Sequence, residues 1–178
     1  GYFSPDFCDH PVLHLIFDVF KNHNKNKFEI FAFSFGPRKK DEMTEQVKKY
    51  FNEFIDINDK SDEEVAMLSR KMGIDIAIDL CGFTNFNRAG IFSHRAAPLQ
   101  VNFLGYPGTM GSAFIDYLIA DKIVIPEDQK LNYSENIAYL PNCYQPNMAV
   151  KNISKTNPFL QIIAAAKYLL FGTSLDEY

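Results

Sequence analysis

The sequence has no tryptophan, only three cysteines, and no apolar run near the roughly 18 residues that a membrane-spanning helix needs. Cys8, Cys81 and Cys143 are far apart, fall in no CxxC spacing, and leave one thiol over in any disulfide pairing. No signal peptide opens the chain. We therefore expect reduced thiols, a cytoplasmic protein and no association with a membrane.

Positive charge is also scarce. The formal net charge is -4, and the one basic cluster, Arg38 to Lys40, runs directly into Asp41 and Glu42. A protein that binds nucleic acid usually carries a basic patch that is not neutralised in this way. No nucleic-acid partner is expected.

Sequence motifs for metals and dinucleotides are absent as well. The four histidines, His10, His14, His23 and His94, show neither an HExxH nor a zinc-finger spacing. His10 and His14 are four residues apart and share a helical face, so a metal-binding pair is a minor alternative. No GxGxxG follows the first predicted strand, which disfavours an ordinary Rossmann-type cofactor protein.

The residues that are present predict alternating strands and helices. Apolar spacing predicts a helix from Pro11 to Lys21, and a polar amphipathic stretch runs from Asp41 to Phe54. In "SDEEVAMLSRKMG", Ser61 and Glu64 are placed for a capping box, and a further helix runs through Ile91 to Arg95. Strands are predicted in "FEIFAFSF", "FIDIND", "IDIAIDL", "LQVNFL", "FIDYLIAD" and "ENIAYLP". This alternation predicts an α/β fold, a doubly wound, Rossmann-like parallel sheet with helices on both faces.

Three loops follow predicted strands and carry polar or glycine-rich sequences: "SPDFCDHP", "CGFTNFNRAG" and "GYPGTMG". In doubly wound sheets, ligands bind beyond the carboxyl ends of the strands. The sequence therefore predicts a parallel sheet of at least four strands with all three loops at one edge, where they would share a cleft.

Each loop has a functional and a purely structural interpretation. His10 precedes a helix start, where the positive end of the helix favours a neutral imidazole that serves as a base or hydrogen-bond donor. It can equally be a capping or surface histidine. Gly82 and Thr84 can present an amide and a hydroxyl to a ligand, or form a plain strand-to-helix connection. Tyr106 and Thr109 supply a ring and a hydroxyl, or lie in a simple turn.

Taken together, these segments resemble a known family. "GYFSPDFCDHPV", the stretch from "DIAIDLCGFT" through "HRAAPLQVNFLGYPGTMG", and "YLPNCYQPN" resemble the amino-terminal lobe of the catalytic region of the O-linked N-acetylglucosamine transferase and SPINDLY family, glycosyltransferase family 41, of bacterial type. The resemblance covers about residues 1–148. It implies one lobe of a GT-B enzyme, in which two Rossmann-like lobes enclose the active site. We expect this lobe in residues 1–150 and an atypical, truncated or divergent tail in 151–178.

The resemblance also implies roles for individual residues. His10 matches the family's active-site histidine, a proposed catalytic base. The substrate-binding loops, which lie at the sugar end of the donor, match Gly82, Phe83, Thr84, Gly105, Tyr106, Pro107, Gly108 and Thr109. Phe83 replaces the family's tyrosine, and Asp75 stands where human-type members carry a histidine, so no role is carried over to Asp75. No DxD-like acidic pair lies in a loop, so neither a metal nor another cofactor is expected beside the UDP-sugar donor.

The resemblance implies an inverting glycosyltransferase that transfers a sugar, expected to be N-acetylglucosamine, from a UDP-sugar to Ser or Thr hydroxyls of proteins. The expected partners are the nucleotide-sugar donor, a protein acceptor and a missing carboxyl-terminal lobe, because no phosphate-binding lysine and threonine run follows residue 150. The alternative is an inactive fragment or binding module with the same fold. Either way, an exposed apolar patch is expected at Phe83, Tyr106 and residues 159–171.

Overall fold

The computed structural model describes residues 1–36 and 41–148, and these include seven β-strands. The predicted tail, including residues 159–171, lies outside the described residues. The strands are β1 (Tyr2–Ser4), β2 (Phe31–Ser34), β3 (Glu53–Asp56), β4 (Ile76–Asp79), β5 (Leu99–Asn102), β6 (Tyr117–Ala120) and β7 (Asn136–Tyr139).

Helices connect most of these strands. They are α1 (Pro11–Lys21), α2 (Glu42–Lys48), α3 (Asp62–Lys71), α4 (Ala89–Ser93) and a 3₁₀ helix (Glu127–Asn132). The predicted capping box of α3 is confirmed, since Ser61 and Glu64 bond each other's backbone amides. Within the two described ranges, no helix has the length and apolar character needed to cross a membrane.

The amphipathic stretch predicted from Asp41 to Phe54 is split between two elements. Helix α2 ends at Lys48, and Phe54 lies in β3, where it is in register with Ala32 of β2. Phe51 packs against Phe20 in the core, so the chain turns inward before the strand begins. The helical periodicity therefore ends where tertiary packing requires an edge strand.

All six strand pairings are parallel, and the strand order is β3-β2-β1-β4-β5-β6-β7. From β1 the chain first adds β2 and β3 on one side, then returns to place β4 on the other side of β1. The order thus reverses between β1 and β4, which is the topological switch point of a doubly wound sheet.

Aromatic side chains fill both faces of this sheet. On one face, Phe3 stacks on Phe33 with ring centroids 4.3 Å apart and meets Phe92 from α4. On the other face, Phe20 from α1 packs with Phe7 beside the helices α1 and α2. Each fully buried ring contributes roughly 2 to 3 kcal/mol of transfer free energy. The predicted parallel sheet with helices on both faces is confirmed.

Candidate functional site

The three candidate loops follow β1, β4 and β5, which are adjacent in the sheet. Because these strands are parallel, their carboxyl ends lie at one edge, and the loops lie there together. The prediction that all three loops share one edge is confirmed. The first two loops flank the switch point itself, where the diverging connections leave room for a ligand.

The loop after β1 is fastened to the start of α2. The Thr44 hydroxyl donates to the carbonyl of Phe7 over 2.9 Å, and a carboxylate oxygen of Asp41 accepts from the Asp9 amide over 2.7 Å. These bonds fix the path of the chain into α1, whose N-cap residue is His10. The position of His10 is therefore set by two elements rather than by its own loop alone.

His10 faces two different partners through the same ring nitrogen. Its Nδ1 accepts from the Val12 amide over 3.3 Å and lies 3.5 Å from Oδ2 of Asp6. Burial raises the pKa of the Asp6 carboxyl, and positive charge on His10 opposes that shift. When Nδ1 caps the helix, the neutral ring carries its proton on Nε2. When Nδ1 carries the proton and donates to Asp6, Nε2 has a free lone pair and is a base.

The loop after β4 is compact and presses against the loop after β5. Gly82 has a φ of 57°, and a Cβ there would lie 2.5 Å from the Cβ of Tyr106, so the close approach requires glycine. The Thr84 hydroxyl donates to the Cys81 carbonyl over 2.9 Å and lies 3.1 Å from the Cys81 sulfur, whose S–H can donate to it. Phe83 is 50% exposed, and its ring meets the partly buried Tyr106 edge-on at 6.0 Å.

The loops after β1 and β4 are also electrostatically close. Burial raises the pKa of the Cys81 thiol to about 11, and the negative charges of Asp79 and Asp6 add to that shift. Asp6 belongs to the first loop and Cys81 to the second. This influence of Asp6 on Cys81 agrees with the position of the two loops at the ends of adjacent strands, β1 and β4.

The loop after β5 is shaped by glycines and by Tyr106. A Cβ on Gly105 would overlap the carbonyl oxygen of Leu80, and one on Gly108 would lie 2.8 Å from the Tyr106 ring. The carbonyl of Pro107 receives a 3.5 Å hydrogen bond from the Tyr133 hydroxyl. The glycines therefore let the loop lie directly against the end of β4, beside Gly82.

The hydroxyl of Thr109, by contrast, makes all of its hydrogen bonds within the protein. It donates to Oε2 of Glu135 over 2.8 Å and accepts from the amides of Gly111 and Ser134 over 3.0 and 3.2 Å. These bonds use both the proton and the lone pairs of the hydroxyl. Thr109 thus shapes the loop, whereas Gly82, Phe83, Gly105 and Tyr106 are the predicted residues that the structure brings together.

Glu135 anchors this loop from below, and sequence reasoning did not identify it. It is 5% exposed, and its other oxygen, Oε1, accepts from the Met110 amide over 2.6 Å. Replacing Glu135 by alanine removes the acceptor of the buried Met110 amide and one acceptor of the part-buried Thr109 hydroxyl. We expect Glu135→Ala to lower the free energy of unfolding by about 2 to 3 kcal/mol, measured by urea denaturation.

Glu127→Ala is the control for that experiment. Glu127 is an exposed carboxylate paired with Lys122 and Lys130, so its loss is expected to lower stability much less than the loss of Glu135. If Glu135→Ala and Glu127→Ala unfold at the same urea concentration, Glu135 does not hold the loop.

Asp79, the last residue of β4, is the second buried carboxyl that sequence reasoning did not single out. It is 2% exposed, and its Oδ1 accepts from the Cys81 amide over 2.9 Å. Burial raises the pKa of Asp79 to about 6, although the amides of Cys81 and Gly82 favour its ionised form. The loop that carries Gly82 to Thr84 is therefore held by a carboxyl that titrates close to neutral pH.

This titration predicts a specific dependence of stability on pH. Because the pKa of Asp79 is raised from 3.8 to about 6, the folded state binds the proton more tightly than the unfolded state. Its contribution is fully present below pH 3.8 and is lost as the pH rises through 6, amounting to at most about 3 kcal/mol. We expect Asp79→Asn to gain stability relative to the wild type across this window, in urea denaturation at a series of pH values.

The control for the pH series is Glu53→Gln, which removes an exposed carboxyl from β3. Because this variant keeps Asp79, the dependence of its stability on pH between 3.8 and 6 should remain. The same dependence in Asp79→Asn would show that Asp79 does not titrate in this range.

A separate cavity lies at the opposite edge of the sheet. It has a volume of about 500 Å³ and is lined by His23, Phe28 and Asp75 among others. Asp75 directly precedes β4, so it lies at the amino end of the strand, away from the three loops. The position at which the chain departs from the human-type pattern is therefore not part of the carboxyl-edge site.

A doubly wound parallel sheet with glycine-rich loops gathered at its switch point defines a Rossmann-like ligand-binding lobe. The family model for glycosyl transferase family 41 matches residues 1–149, and the chain belongs to that family. Its sheet is that of one lobe of a GT-B glycosyltransferase, and the resemblance described above is confirmed.

Known proteins agree with this assignment. The chain is 36% identical over 147 residues to a probable UDP-N-acetylglucosamine–peptide N-acetylglucosaminyltransferase, SEC, of Arabidopsis thaliana, covering 83% of this chain and 15% of the relative. It is 32% identical over 149 residues to the corresponding transferase of Caenorhabditis elegans, covering 81% and 13%. A solved structure of a mutant O-GlcNAc transferase from Thermobaculum terrenum superposes with a TM-score of 0.80 at 25% identity, covering 96% of this chain and 36% of that one. This chain thus spans about a sixth or less of these curated relatives.

Proposed function

We propose that this chain forms the amino-terminal lobe of an inverting glycosyltransferase that transfers N-acetylglucosamine from UDP-N-acetylglucosamine to Ser or Thr hydroxyls of proteins. One observation carries the proposal: in a family 41 chain, the loops after β1, β4 and β5 meet at the switch point of the sheet. The relatives' names, UDP-N-acetylglucosamine–peptide transferases, supply the donor and the class of acceptor.

His10 is the proposed proton acceptor. In an inverting transfer the acceptor hydroxyl attacks the anomeric carbon from the side opposite the diphosphate, whose bond to that carbon breaks. The hydroxyl proton passes to Nε2 of His10 directly or through a relay. Asp6, 3.5 Å from Nδ1, orients the ring and stabilises the imidazolium that forms.

The loops after β4 and β5 are proposed to hold the sugar. The backbone of Gly82 lies against Tyr106, and the backbone of Gly105 lies against the Leu80 carbonyl. Beside them, the aromatic rings of Phe83 and Tyr106 form a partly exposed surface. A sugar has an apolar C–H face that can pack on such an aromatic surface, and hydroxyls that other backbone groups of these loops can bond. The amides of Gly82 and Gly105 themselves donate to Asp79 and to the Phe103 carbonyl.

The same loops offer little to a diphosphate. The described loops between β1 and α1, between β4 and α4, and between β5 and β6 contain one basic residue of the lysine or arginine type, Arg88. Its guanidinium is already bonded to the Asp62 carboxylate and to the carbonyls of Ile57 and Lys60. We therefore assign binding of the donor phosphates to a carboxyl-terminal lobe. We also propose that the enzyme needs no metal and that it is cytoplasmic. This observation also favours the second candidate, a chain that by itself binds but does not turn over.

Fusion to a second lobe tests the proposal. The chain would be joined to the carboxyl-terminal lobe of the Thermobaculum terrenum O-GlcNAc transferase and incubated with UDP-N-acetylglucosamine and a serine- and threonine-containing peptide. We expect glycopeptide from the fusion and none from the chain alone, with a β-linked sugar identified by NMR of its anomeric proton.

The positive control is the same fusion carrying the bacterial enzyme's own amino-terminal lobe. If that control is active and the fusion with this chain is not, the binding-module alternative is correct. An α-linked product would show retention and would overturn the inverting mechanism.

A further inference from the structure

The loops after β4 and β5, which are proposed to bind the sugar, each follow a buried polar residue. Asp79 ends β4 and Asn102 ends β5, and the two are partners in the parallel ladder between these strands. Residues in register on neighbouring parallel strands point to the same face of the sheet. Asp79 and Asn102 therefore lie side by side, and both are almost completely buried, at 2% and 0% exposure.

Each member of the pair holds its own loop. Asp79 accepts from the Cys81 amide, which starts the loop carrying Gly82. Asn102 donates from Nδ2 to the carbonyl of Tyr106 over 3.0 Å, in the other loop. One buried side chain thus fixes each wall of the proposed site.

The pair also contains an unused acceptor. Oδ1 of Asn102 is buried and has no hydrogen-bond partner within the described residues. Reversing the amide would not help, because its oxygen would then face the Tyr106 carbonyl. An ionised Asp79 only accepts hydrogen bonds, whereas a protonated Asp79 has one O–H to donate. Protonation therefore supplies the missing donor beside Asn102.

We propose that Asp79 and Asn102 are a coupled pair of positioning residues, in which protonation of Asp79 forms a hydrogen bond to Oδ1 of Asn102 and so links the placement of the two sugar-binding loops. The proposal rests on the proposed function for its catalytic meaning. The coupling itself is a property of the lobe and is measurable without any transfer reaction.

In the described loops after β1, β4 and β5, the titratable and charged groups are those of Asp6, Cys8, Asp9, His10, Cys81, Arg88, Tyr106 and Asp116. Helices α3 and α4 cover this face of the sheet with apolar side chains such as Val65 and Phe92. Burial among these groups raises the pKa of Asp79 to about 6, so its titration is separated from that of Cys81 near 11.

The test is a pH titration of the full chain by ¹⁵N–¹H NMR without ligand. The chain has nine glycines, so the amides of Gly82, Gly105 and Gly108 are practical probes of the two loops. We expect Gly82 and the two glycines after β5 to shift with one common midpoint near pH 6, set by Asp79. In Asp79→Asn all three shifts should be lost.

Asn102→Ala separates coupling from simple proximity. In that variant Gly82 should still titrate, whereas Gly105 and Gly108 should not. Asp6→Asn and His10→Gln are the controls for the neighbouring groups, and both should keep the common midpoint. The spectra also report whether each variant is folded. A wild-type titration in which Gly105 and Gly108 do not follow Gly82 overturns the proposal whatever the variants show.

Two results would overturn the proposal: wild-type Gly105 and Gly108 shifts that do not follow Gly82, or a common midpoint that persists in Asp79→Asn. Neither result depends on transferase activity. An inactive fusion protein with intact coupling would instead count against the proposed function alone.

Discussion

Replacing His10 by alanine is expected to slow sugar transfer by a factor on the order of 10² to 10⁴, the usual cost of losing a positioned base or relay. The reason is that, in the proposed mechanism, Nε2 of His10 takes the acceptor's proton, while its Nδ1 lies 3.5 Å from Asp6. Binding of UDP should change little, because the proposal assigns His10 to the acceptor and the sugar rather than to the nucleotide. Single-turnover transfer and calorimetric titration with UDP on the two-lobe fusion separate these effects.

His14→Ala is the matched control. His14 lies one turn further along α1, and its Nε2 bonds the exposed Asp9 carboxylate over 2.6 Å. It has the same side chain on the same helix but no place in the proposed reaction, so its transfer rate should equal that of the wild type. A full transfer rate in His10→Ala would leave His10 only the structural role of capping α1.

The second large effect is expected at Gly105. A Cβ there would overlap the Leu80 carbonyl oxygen, a backbone atom that cannot move without displacing the end of β4. Gly105→Ala should therefore lower the free energy of unfolding by about 3 kcal/mol or more, since overpacking of a backbone contact is difficult to relieve. Urea denaturation measures the loss, and the fusion protein should lose UDP-sugar turnover as the two loops separate.

Gly111→Ala distinguishes overlap from backbone strain. Gly111 has a φ of 57°, but nothing lies within 4 Å of the position that its Cβ would occupy. Gly111→Ala should therefore lower the free energy of unfolding by only about 1 to 2 kcal/mol, the cost of placing alanine in a left-handed conformation. Equal losses in the two variants would mean that the contact between Gly105 and Leu80 does not restrict the loop.

Much of the fold could be predicted from the sequence, because its signals are local. The apolar face of α1 and the capping box at Ser61 mark helices through spacing alone. The limits of α2 could not be predicted, because packing of Phe51 and pairing of Phe54 with β2 override the helical period. The order of strands is likewise set by which residues meet across the sheet, and that information is not local.

The site shows the same division. The loops containing His10, Gly82 and Gly105 were predictable because each follows a strand and carries unusual residues. The side chains that hold these loops were harder to predict, since Asp79 and Glu135 belong to no motif. A signal was nevertheless present: Asp79 is the one polar residue of β4 and lies at its end, and Asn102 ends β5, where burial requires a bonded partner. The domain limit at residue 150 and the individual site roles stay predictions.

The reversal of strand order between β1 and β4 has a consequence for how the molecule assembles. Strand β1 can pair with β2 early, but its other edge remains open until residue 79 has been made and Phe3 meets Asp79 in the ladder. Pairing across so long a stretch of chain is entropically slow, and N-terminal units form first during synthesis. We therefore expect the two halves of the sheet to join at the switch point late in folding, and this step brings His10, after β1, to the loops after β4 and β5 that are proposed to hold the sugar.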